Sequence, residues 1–164
     1  MSVLVVNRNE SRYEPIVFSI KLHNMLIEFS QRNYGIKNWS TFVRKKYACG
    51  KTDLTESEVF SKYNYLMTDS KKNIDMIASL LTNNLIAARS IYPVNESECD
   101  QKRGYLNSAL GNCNQLTQNL QHIVDIFDVD VNAFKPYQRA IDKEIELIKK
   151  WRQKENHKIT HTKG

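Results

Sequence analysis

Glycine and proline are scarce in this chain, five and three among 164 residues. A β-rich fold uses both freely in its turns, so their scarcity argues for helices instead. No apolar run approaches the roughly 18–20 residues that a membrane span needs, so a soluble protein is expected. Cys49, Cys99 and Cys113 are odd in number and form no CxxC pair. Neither a disulfide framework nor a paired-cysteine zinc site is therefore expected. No signal peptide is evident, which makes the reducing cytoplasm the expected compartment.

Catalytic signatures are missing as well. There is no glycine-rich phosphate loop, because Gly104 and Gly111 fall inside a helical pattern. His23, His122, His157 and His161 have no Glu or Cys at metal-ligand spacing on a helix, and neither ExxH nor HExxH occurs. Asp142, Glu144 and Glu146 alternate with Lys143, Lys149 and Lys150, the pattern of a solvated helix face. The chain reads as a non-enzyme with no cofactor and no metal.

What is present is helical periodicity. Leu106, Ala109, Cys113, Leu116, Leu120, Ile123 and Phe127 step by three and four residues without interruption, the stripe of a helix packed at a shallow angle. This predicts a helix over 96–127, entered through Asn95 and Glu98 as a capping box. A second helix is predicted over 56–91, entered through Thr55 and Glu58, with room for a kink near Asp69–Lys72. Two more are predicted over 14–33, with Pro15 in its first turn, and over 133–156. Around them lie an N-terminal arm at 1–12, a linker at 36–54 in which Ser40 could cap a short helix, and a disordered tail at 157–164. The expected fold is all-α, an antiparallel up-down-up-down four-helix bundle with an extended linker between its first two helices.

Net charge is +6, and it is unevenly placed. Residues 1–52 and 149–164 are strongly basic, while the stretch between them is net acidic. Lys37 to Lys51 holds five cations, no acid, and the aromatics Trp39, Phe42 and Tyr47. Cations interleaved with aromatics suit a phosphate backbone and unpaired bases. The candidate nucleic-acid contacts are Arg44, Lys45, Lys46 and Lys51, joined by Lys149, Lys150, Arg152 and Lys154. Trp39 and Tyr47 are the candidate stacking groups. With helices alternating in direction, the two basic stretches are expected at opposite poles of one subunit.

Several segments carry a resemblance. They are Phe18-Ser19-Ile20-Lys21-Leu22, Asn83-Asn84-Leu85-Ile86-Ala87-Ala88-Arg89, Arg103 through Cys113, and Ile141-Asp142-Lys143-Glu144-Ile145 with Trp151. Their order resembles the four-helix-bundle family of 23S rRNA intervening-sequence proteins and Avd, the accessory variability determinant of diversity-generating retroelements. The resemblance spans roughly residues 14–156 and is closest to Avd. It implies a basic homo-oligomer, a pentamer in that family, binding the element's template RNA and its reverse transcriptase to support mutagenic cDNA synthesis. It also implies that Ala109 and Gly111 let helices approach closely, within or between subunits. The rival expectation is an oligomeric helical scaffold with no nucleic-acid role.

Overall fold

The computed structural model describes residues 10–162, and within them every regular element is helical. Helix α1 spans Glu10–Gln31, α2 spans Trp39–Cys49, α3 spans Glu56–Ser90, α4 spans Glu96–Phe127 and α5 spans Lys135–Thr162. Short 3₁₀ turns at Asn33–Gly35 and Val131–Phe134 follow α1 and precede α5. The first and last of the four predicted helices thus extend beyond the expected residues 14 and 156. The arm expected at 1–12 is shortened by α1, which starts at Glu10, and the rest of it lies outside the described residues. Pro15 therefore sits beyond the first turn, where its missing N–H costs one bond near the helix start. The tail expected to be disordered from 157 instead continues α5 to Thr162, as no Pro or Gly intervenes to stop it.

Capping explains where these helices begin. Thr55 and Glu58 exchange both bonds of a capping box, and Asn95 accepts from the Glu98 N–H. The Glu98 carboxylate reaches past Asn95 to the Val94 N–H at 2.7 Å. The linker at 36–54 is mostly helix α2, and its N-cap is Asn38 rather than Ser40. Helix α3 is unbroken across Asp69–Lys72. The polar gap at Ser70 is absorbed because its hydroxyl donates to the Met67 carbonyl at 2.8 Å. Between α1 and α2, Asn33, Tyr34 and Gly35 all take positive φ. Only Gly35 does so without strain; Tyr34 is held there by burial against Phe29 and Phe134.

Side-chain pairs define how the long helices meet. Ser19 meets Thr82 and His23 meets Asp75, so α1 and α3 run in opposite directions. Asn84 donates to Asn112 and Lys102 to the Ile91 carbonyl, which makes α3 and α4 antiparallel. Arg103 donates to Asn156 and Gln138 to Thr117, so α4 and α5 are antiparallel as well. Tyr137 stacks on Phe29 while Lys143 lies over Phe18, so α1 and α5 also oppose each other. Helices α1 and α4 each pack on both α3 and α5, and α2 lies against α3.

The α4 stripe is buried throughout, from Leu106 to Phe127. Not every apolar residue of these helices turns inward. Val17 and Ile20 are half exposed on α1, as are Leu80 and Ile86 on α3. They sit on the far side of their helices from the buried Leu22, Leu26, Leu81 and Leu85. Gly111 is exposed, and a Cβ there would meet nothing within 4 Å. It therefore mediates no close helix approach within the chain, whereas Ala109 is fully buried.

The main surprise in the core is Glu144, which is completely buried. Neither carboxylate oxygen has a hydrogen-bond partner among the described residues. Burial pushes its carboxyl up to about 9, the charge of Glu14 adds to the rise, and Lys143 opposes it. The same enclosure, with Glu144 adding to it, pushes the Cys113 thiol up to about 12. A carboxyl raised from 4.5 to about 9 on folding favours the folded state in its neutral form. That contribution is complete below the unfolded value and is lost as pH rises towards the folded one. Glu144→Leu is expected to gain roughly 2–3 kcal/mol at pH 7 by urea unfolding. Glu144→Gln should flatten the fall in stability between pH 5 and 9.

Candidate nucleic-acid interface

Alternating helix directions put the two basic stretches at opposite ends of the molecule. Helix α2 lies near the end of α4, where Lys46 approaches Asp128 at 3.7 Å. The cationic half of α5 lies beside the start of α4, where Arg152 Nη1 donates to Asn107 Oδ1 at 3.0 Å. Lys46 and Lys149 are thus separated by most of α5, on the order of 20–30 Å.

At the α2 end the cations are partly compensated. Arg44 Nε lies 3.8 Å from the Glu56 carboxylate, and Lys46 adds to its contact with Asp128 a position 5.5 Å from the Phe42 ring. Lys45 and Lys51 are exposed. Trp39 does not present a free face for a base. Its ring stacks on Phe42 at 5.5 Å, edges against Phe127 at 6.0 Å, and its Nε1 donates to Asn64 at 2.6 Å. With Phe42, Tyr63 and Phe127 it closes that end of the core. Tyr47, 38% exposed, remains available to solvent.

At the α5 end compensation is weaker. No ion pair among the described residues engages Lys149, Lys150 or Lys154, and all three are exposed. Of the acids on this part of α5, Glu146 is exposed and Glu155 is turned inward. Glu155 lies 3.3 Å from Lys102 Nζ and accepts from Trp151 Nε1 at 3.3 Å. Lys102 in turn donates to the Ile91 carbonyl and lies 5.9 Å from the Trp151 ring. This clamp fixes the end of α3 to α4 and α5, and it draws the Glu155 carboxylate away from the surface cations, leaving Glu146 as the exposed acid one turn before Lys149 and Lys150.

The described residues hold no group of three or more His, Cys, Asp or Glu side chains arranged for a metal ion. No described helix is long and apolar enough to cross a membrane. No protein-family model, curated protein or solved structure matches the chain.

Sequence reasoning placed Glu144 on a solvated face, and the structure corrects that. The register permitted either reading: between Ile141 and Ile148 both Glu144 and Ile145 fall at three and four residue steps, and apolar character favours Ile145 as the inward one. Asn107 was also missed, since only folding sets it beside Arg152. The packed and exposed aromatics should separate experimentally. Trp39→Ala is expected to cost roughly 2–3 kcal/mol in chemical denaturation. Tyr47→Ala should stay within about 0.5 kcal/mol of the parent.

Proposed function

We propose that the protein is a non-catalytic, RNA-binding accessory protein built on an antiparallel up-down-up-down four-helix bundle. The opposed directions of each packed helix pair support the bundle. The observation that carries RNA binding is the exposure of Lys149, Lys150 and Lys154 on one helix, three cations that no ion pair among the described residues engages, with Glu155 drawn towards Lys102 instead. Like charges held one turn apart repel one another, and a polyanion relieves that repulsion while releasing its own counterions. Lys45, Lys51 and Tyr47 form a second, weaker contact region at the other pole.

The resemblance to Avd supplies the rest of the proposal. In that reading the protein is a cytoplasmic homo-oligomer, pentameric as in the family. It binds the template RNA and the reverse transcriptase of a diversity-generating retroelement, and the polymerase performs the chemistry. Oligomerisation would align the basic poles of neighbouring subunits along one surface. A scaffold without nucleic acid is the second reading, favoured by the half-exposed Val17, Ile20, Met76, Leu80 and Ile86, which suit contact with protein.

RNA retention measured between 50 and 200 mM salt separates the two. The proposal expects affinity to fall steeply with salt. It also expects Lys149→Glu, Lys150→Glu and Lys154→Glu together to weaken binding by more than about tenfold. Absent binding would leave the scaffold reading standing, and binding indifferent to these changes would overturn the assignment to Lys149, Lys150 and Lys154.

A further inference from the structure

Beside the exposed lysines, an open groove of about 500 Å³ runs between α4 and α5. Its α4 wall carries Asn107, Gly111 and Asn114, and its α5 wall carries Lys149 and Arg152. Leu110 and Ile145 form the apolar base. No carboxylate among the described residues lines it. From the geometry we infer that this groove is a binding site for the sugar–phosphate backbone of single-stranded nucleic acid. The inference rests on the RNA-binding reading and assigns it a specific location.

Three features favour that ligand. The first is donor supply. Asn107 Oδ1 accepts from Arg152 Nη1, so the amide –NH₂ of Asn107 and the remaining guanidinium N–H groups are left to donate. The bond also holds Arg152 in place before any ligand arrives, which lowers the ordering cost of binding. Arginine in a fixed orientation suits bidentate contact with phosphate oxygens, and Lys149, three residues earlier on the same face, adds a second cation.

The second feature is the missing side chain at Gly111. Asn107, Gly111 and Asn114 lie on successive turns of one face of α4, spanning about 10 Å along the helix. A Cβ at Gly111 would meet nothing within 4 Å. Packing inside the chain therefore gives no reason for glycine in mid-helix, where it costs roughly 0.5–1 kcal/mol relative to alanine. Its effect is to keep the wall of the groove low between two carboxamides, so that a chain can lie against the helix.

The third feature is what the groove lacks. Among the described residues no aromatic side chain lines it, so they offer no platform for base stacking there. Recognition there falls on the backbone and tolerates any sequence. A cleft between two neighbouring helices admits a strand more readily than a duplex, whose phosphates lie along a broad convex surface. An acidic peptide is disfavoured because its carboxylates are interspersed with bulky side chains, and the two apolar residues at the base are already packed against the core.

Gly111→Leu tests this directly, since it fills the groove without touching a charge. Leucine is also a better helix former, so the variant should melt at or above the parent temperature. The probe is a labelled twelve-residue oligouridylate, followed by fluorescence anisotropy across a salt series. Gly111→Leu is expected to weaken binding at least tenfold, as is the surface pair Lys149→Gln with Arg152→Gln, which should leave folding intact. The surface pair should also make the slope of log affinity against log salt shallower by roughly 1.4, the loss of two phosphate contacts. The inference is overturned if the parent binds the oligonucleotide and both variants bind it within twofold of the parent. It is equally overturned if oligoglutamate of the same length binds the parent as tightly as the oligonucleotide does. Failure of the parent to bind RNA at all would overturn the broader reading along with this one.

Discussion

The antiparallel seam between α3 and α4 is the constraint on which the other elements depend. At 35 and 32 residues these are the two longest helices, each on the order of 50 Å. They are joined by only the short connection at 91–95, which leaves them little choice but to pack side by side. Leu81, Leu85 and Ala88 face the stripe that runs from Leu106 to Phe127. Each of these residues contributes the roughly 25 cal/mol gained per Å² of apolar surface removed from water. The remaining edges of this pair then receive α1 and α5, whose own stripes have nowhere else to go.

The two ends of the molecule are finished by different chemistry. At the α2 end, Trp39, Phe42, Tyr63 and Phe127 form one aromatic cluster, with Phe29, Tyr34, Phe134 and Tyr137 forming another beside it. At the opposite end, Lys102 ties a helix C-terminus, a carboxylate and an indole ring together. This second closure has an electrostatic side effect. By drawing Glu155 inward it leaves Lys149, Lys150 and Lys154 as the exposed charges along residues 149–156 of α5.

The completely buried carboxyl of Glu144, without a partner among the described residues, destabilises the core, and a leucine would fit the helical register at that position. Its neutral state is maintained by the surrounding apolar side chains rather than by any hydrogen bond among the described residues. It sits between α1 and the rest of the core, with Cys113 and Glu14 as its electrostatic neighbours.

Much of the helical architecture was legible in the chain itself. The boundaries of α4, the Thr55–Glu58 box and the separation of two basic stretches follow from local spacing, capping chemistry and composition. Those are short-range signals, carried within a few residues of where they act. What the tertiary structure alone decided are the questions that join distant residues. It turned Trp39 inward against Phe127, buried Glu144 between helices, and set Asn107 beside Arg152 forty-five positions away. A single helix has one periodicity but many neighbours, and only packing selects which residues of its face meet solvent, core or groove.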